Sequence, residues 1–283
     1  MNAKPPRPAL GWWPILSGTL QRIIRHNLSA LAAAVAYYAL MSLFPALTAL
    51  VSIYGLISDR TIVQRQVNTM AGILPPEALQ LVATWLKTLV DGPSTRFGIG
   101  LILGVLLAAW SVWSATAMLM TAINTCYGDA ERRSFLRFNL EAVALGIGLA
   151  LLAVIALALV ALLPVLLALL PLPPAWNAII SLLRWPLLAG LAFLGLAIIY
   201  RYGPARIDRT WRWISWGAGL ATALWLLGSV GFAAYVSRIG SYDRTYGSLG
   251  AVIVLLLWFY MSAYVVLIGA ELNGELERRA LGE

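Results

Sequence analysis

The chain has little that a catalyst or a soluble domain needs. Its 283 residues include one cysteine and one histidine, and only 11% are charged. Cys126 stands alone, so no intrachain disulfide can form. His26 stands alone too, which excludes a His-rich metal site and leaves almost no basis for His-centred acid–base chemistry. Asp59, Asp91, Asp129, Asp208 and Asp243 are scattered through the polar breaks and form no carboxylate cluster for metal-assisted hydrolysis. No Gly-rich nucleotide loop is present, so an ATP-driven pump would need another subunit. The expectation is a protein that is not an enzyme and carries no cofactor or metal. A cleavable secretory signal is not expected either. Lys4 and Arg7 are followed by Pro8 and Pro14, with no apolar core and small-residue cleavage site. The first apolar run should serve as an uncleaved insertion signal.

A soluble domain carries about 25% charged residues. Here 61% of residues are hydrophobic instead, and they collect in six runs: 28–57, 97–123, 142–170, 178–200, 213–236 and 249–270. A helix needs about 20 apolar residues to cross about 30 Å of hydrocarbon. Inside lipid the backbone must satisfy its own hydrogen bonds, so each run should be helical. The fold class expected is all-α, a polytopic membrane protein with six transmembrane helices and short amphipathic interfacial helices. Residues 1–27 should be a cytoplasmic segment with an interfacial helix over 12–26, residues 28–274 the membrane domain, and residues 275–283 a cytoplasmic tail. In that interfacial helix Trp12, Trp13, Leu16, Leu20, Ile23 and Ile24 supply an apolar side, and Arg22 and Arg25 can reach lipid headgroups. The outer connection 58–96 should hold short helices, with an amphipathic pattern over 77–90 after Pro75–Pro76. The uncharged Pro171–Pro174 segment reads as a tight turn. The formal net charge of +8 reads as membrane orientation rather than nucleic-acid binding. Lys and Arg concentrate in the N-terminal segment, the second and fourth breaks and the tail, which places both termini in the cytoplasm of a bacterial inner membrane.

Polar side chains recur within the runs. Tyr38, Ser42 and Pro45 share a face of the first, and Pro45 cannot donate to the Met41 carbonyl. Trp113 and Asn124 mark the second. Glu141 follows Arg137 by four residues, which fits either an intrahelical ion pair or a carboxylate turned into the bundle. Tyr260, Tyr264 and Glu271 lie on one side of the sixth run, with Asn273 beyond and Glu275 marking the approach to water. Each stripe has two readings, as a solute-lining face or as glue between helices.

Three segments carry a resemblance. They are Ala36–Pro45, then Trp113 with Asn124 and Tyr127, then Tyr246–Ala251 with Trp258, Tyr260 and Gly269-Ala-Glu-Leu-Asn273. In order and spacing they resemble the YihY/BrkB family of bacterial inner-membrane proteins over nearly the whole chain. The resemblance implies six membrane helices and an unsettled biochemical activity. Members have been labelled virulence factor and ribonuclease BN, and some have been linked to lipid export. It implies no catalytic residues. The functional expectation is a transporter or flippase-like protein for a lipid or amphipathic solute, with membrane lipids as partners, no nucleic acid, and homo-oligomerisation left open. The alternative is a non-transporting scaffold of the cell envelope.

Overall fold

A computed structural model describes residues 12–57, 94–169, 174–205, 211–238 and 248–281. Among them the chain forms seven helices and no strand: α1 Trp12–Arg25, α2 Leu28–Ile57, α3 Ser94–Tyr127, α4 Phe135–Leu169, α5 Pro174–Tyr202, α6 Trp211–Arg238 and α7 Ser248–Leu281. Six of them, α2 to α7, are long and apolar enough to cross a membrane. The chain is therefore a multi-pass helical membrane protein. The 77–90 pattern and residues 171–173 of the proline turn lie outside the described residues.

Each spanning helix packs on the next in sequence, and α7 packs back on α2, so chain order is also spatial order around a closed ring. α3 also touches α7, and α1 lies against α7. Alternation brings the starts of α2, α4 and α6 and the ends of α3, α5 and α7 to one end of the ring. That end carries Arg22, Arg133, Arg137, Arg201, Arg278 and Arg279, and it is called the basic end below.

The helices overrun the apolar runs there, because loss of hydropathy does not end a helix. α4 begins at Phe135 rather than near 142. Ser134 caps it, its hydroxyl accepting the Arg137 N–H at 3.4 Å. α7 continues through the segment read as a tail as far as Leu281. Its last turns are braced by Glu275 pairing with Arg278 at 2.6 Å and Arg279 at 2.7 Å. Glu275 is buried rather than water-facing. α3 stops at Gly128, whose φ of 73° suits glycine. Gly128 N–H donates to the Thr125 carbonyl at 3.1 Å and Asp129 N–H to the Asn124 carbonyl at 3.0 Å, the paired bonds of a Schellman stop.

The core occupies one half of the ring. In α2 the buried side chains lie between Leu28 and Leu40, in α3 from Ser111 to Tyr127, and in α4 from Ala142 to Leu145. In α5 they lie between Leu196 and Tyr200, in α6 between Ala218 and Thr222, and in α7 between Ala263 and Leu276. All of these fall in the basic half. Among the described side chains of the other half none is buried, and of its residues only Gly250 is.

Candidate functional site

The site starts from the junction of α1 and α2. Asn27 turns the chain with a φ of 49°, a conformation that asparagine tolerates better than most residues. The turn lets α1 lie along the last turns of α7. Ile15, Thr19 and Arg22, on one helical face, are buried, and Ile15 packs on Leu272 and Leu276. Arg279 Nη2 donates to the Pro14 carbonyl at 2.8 Å. The opposite face is open: Trp13 is 81% exposed and Ile24 75%, with Trp12, Leu16 and Leu20 also exposed.

Arg22 is thus on the protein side of α1, not among headgroups as its sequence context implied. Its Nε donates to Glu271 Oε2 at 2.7 Å, and its Nη2 donates to the Cys126 carbonyl at the end of α3. His26 Nδ1 lies 2.6 Å from the other oxygen, Glu271 Oε1. Glu271 is 0% exposed. A carboxylate removed from water needs a cation and hydrogen bonds to both oxygens, and this one has them. Three chain segments, α1, the end of α3 and α7, are locked together by one side chain.

A second network closes the neighbouring part of the basic end. Arg133 donates to Glu131 through Nε at 2.8 Å and Nη2 at 2.7 Å, to Glu141 Oε2 at 2.7 Å, and to the Gly203 carbonyl at 3.1 Å. Glu141 also accepts from Arg137 Nε at 2.8 Å, the pair expected at that spacing, and its other partner, Arg133, lies in the connection before α4. Asn124 joins in: its Nδ2 donates to Glu131 Oε2 at 2.8 Å and its Oδ1 accepts the Ala205 N–H at 2.8 Å. The Arg133 hydrogen bond, opposed by partial burial, holds the Glu131 carboxyl below its usual range. The Glu131 hydrogen bond in turn raises the Arg133 guanidinium.

Asn273 has a structural post. Its Oδ1 accepts the Gly217 N–H at 2.8 Å at the start of α6. A Cβ on Gly217 would strike the Gly269 carbonyl and the Asn273 side chain, and a Cβ on Gly269 would strike the Tyr200 hydroxyl and the Gly217 carbonyl. The backbones of α6 and α7 therefore touch there, and beside that seam Tyr200 OH of α5 donates to the Val266 carbonyl of α7 at 2.7 Å.

The remaining sequence candidates are dispersed. Tyr260 OH bonds Ser29 Oγ at 2.8 Å between α7 and α2, and its ring lies 6.0 Å from that of Tyr264. Trp113 Nε1 donates to Asn139 Oδ1 at 2.9 Å, pinning α3 to α4. Ser42 bonds its own helix at the Ala39 carbonyl. Tyr38 is exposed beside Tyr37, and Pro45 is half-buried within α2. The structure thus brings Asn124 and Glu141 into one network and Glu271 into another, and it leaves Tyr38, Ser42, Pro45 and Trp113 outside both. Sequence reading overlooked Arg22 and His26 as Glu271 partners, and also Arg133, Asn139 and Tyr200. The usable signal was charge balance, since a carboxylate between Ala270 and Leu272 needs a cation from elsewhere in the chain. Among the described residues no three His, Cys, Asp or Glu side chains gather as a metal site.

These features define a class: a ring of six membrane-spanning helices, tied at one end by buried ion pairs and joined there by a docked surface helix. The particular family follows from comparison. The family described as "Virulence factor BrkB" matches residues 19–283, and the chain belongs to it. A "Putative ribonuclease-like protein YfkH" of Bacillus subtilis is 27% identical over 93% of this chain and 95% of its own length. A "UPF0761 membrane protein" of Tolumonas auensis is 28% identical over 90% of this chain and 83% of its own. A protein of the same description from Aliivibrio salmonicida is also 28% identical, over 93% and 83%. No solved structure matches the chain.

Proposed function

We propose that the chain moves a lipid or amphipathic solute across a bacterial inner membrane, and that the described conformation is closed at the basic end and open at the other. The observation that carries this reading is the one-sided core. A solid bundle buries one stripe along the whole length of each helix. Here only 11% of the apolar window of α4 and 11% of that of α6 are buried, and the buried part of each is at the basic end. The described side chains of the other half are exposed or half-buried, with apolar and aromatic groups among them, which suits contact with acyl chains. The positive-inside rule puts the basic end and both termini in the cytoplasm. In this reading the Arg22–Glu271–His26 cluster is the inner closure rather than the path itself.

One set of observations favours the scaffold alternative. Glu271, Asn124 and Asn273 are satisfied by protein partners, and each has a packing role without any solute. Reconstitution separates the two. Liposomes containing the full chain and a fluorescent phospholipid should exchange lipid between leaflets faster than protein-free liposomes. Equal rates across several lipid classes would sink the transport reading and leave the scaffold.

A further inference from the structure

Within the apolar windows of the six spans, every charged side chain but one belongs to the basic end. The exception is Arg184 in α5. Its position in the span is opposite to all the others: 18 residues separate it from Tyr202, about 27 Å at 1.5 Å per residue, close to the whole hydrocarbon thickness of about 30 Å. On the helix it shares an arc of about 80° with Leu188, Leu191, Gly195 and Ile199. That arc passes from half-buried to buried toward the basic end, so it is the side α5 turns to its neighbours, not the side bearing the exposed Leu183 and Leu187.

Among the described residues Arg184 has no carboxylate partner. Its Nε is buried without a hydrogen bond, and its guanidinium stands 5.4 Å from the ring of Trp185, itself exposed. Near the end of a span a guanidinium reaches the interface, and its planar fork matches the phosphate oxygens found there. Tryptophan beside it suits the boundary between headgroup and acyl chain.

We propose that Arg184 binds the phosphate of a lipid headgroup at the end of the ring remote from the basic cluster, with Trp185 against the glycerol region. That this lipid is also the cargo rests on the transport reading; the binding site does not.

The test uses the full chain in a phosphate-free maltoside detergent. The probe is a phosphatidic acid with a photoactivatable group next to its phosphate, and the control probe is the diacylglycerol with the same group and chains. Phosphatidic acid should label residues 174–200 roughly tenfold more than diacylglycerol, as expected for loss of a charge-assisted bond. Arg184→Gln should abolish the preference, Arg184→Lys should keep part of it, and Arg132→Gln at the basic end should keep all of it. Excess inorganic phosphate should leave the labelling in place. Equal labelling by the two probes, unchanged preference in Arg184→Gln, or displacement by inorganic phosphate would each overturn the assignment, the last by giving the site to a free anion. Arg184→Lys separates loss of the site from loss of the fold. Absence of lipid exchange by the parent chain in liposomes would overturn the transport reading alone.

Discussion

Arg22 ties α1, α3 and α7 together, and its bond to Glu271 depends on the charge of that carboxylate. Replacing Glu271 by glutamine keeps the shape and leaves the Arg22 guanidinium buried without a counter-ion. Removing one partner of a buried pair costs about 3–5 kcal/mol, so Glu271→Gln should lower the unfolding free energy in detergent by about that amount. Replacing both partners with apolar residues, Arg22→Met with Glu271→Leu, should cost much less, because neither charge is then stranded. Equal losses in the single and double variants would show that Glu271 acts through its shape and not its charge. Glu131 gives a different signature. Its folded pKa is lowered, by the Arg133 hydrogen bond first. It therefore contributes stability at pH values above its unfolded pKa, and that contribution disappears as pH falls through the lower folded value. The unfolding temperature of the parent should drop as the pH falls through and below the usual carboxylate range, and Glu131→Gln should flatten that part of the curve. An identical acid limb in both proteins would remove Glu131 from the account.

At the scale of helices, the α6–α7 seam sets the tolerance of the fold. Gly269 sits where a Cβ would meet the Gly217 carbonyl and, at 2.9 Å, the Ala221 Cβ. Two of the groups it would displace are backbone carbonyl and helix-borne methyl, and neither can swing aside. Gly269→Ala should destabilise by about 1–3 kcal/mol, as overpacking does. Gly219, on the same helix as Gly217, has nothing within 4 Å of an added Cβ, and Gly219→Ala should be neutral or gain about 0.5–1 kcal/mol from helix propensity. Thermal unfolding of the two variants side by side checks the pair, and similar midpoints would mean the seam yields. The six spans were legible because lipid admits one backbone solution for a long apolar run. Their ends were not, since Phe135 and Leu281 are set by a serine cap and by ion pairs between successive turns. The partners of Glu271 were illegible for another reason. Arg22 and His26 stand 249 and 245 residues away in sequence, and an amphipathic pattern in α1 does not say which of its sides meets protein and which meets lipid. Arg22 was read toward the headgroups because both sides of α1 carry apolar residues.

For the whole molecule, core and ion pairs concentrate at one end, which the transport reading takes as the closed one, and Cys126 reports on it without any engineering. The thiol belongs to a residue with 0% exposure, and the carbonyl of the same residue accepts a bond from Arg22. A maleimide can reach the thiol only when α1 lifts or the end of α3 moves away from α7. Such local opening has its own free energy, and each 1.4 kcal/mol changes the open population about tenfold. If the buried pair holds the end shut, a stranded charge in Arg22→Ala or Glu271→Gln should speed labelling in membranes by at least about tenfold. Arg184→Gln, at the other end of the ring, should label as slowly as the parent. Equal rates in all of these proteins would show that the ion cluster stabilises the resting fold without governing access. Fast labelling of the parent itself would contradict a sealed basic end, and with it the polarity that the transport reading assigns to the bundle.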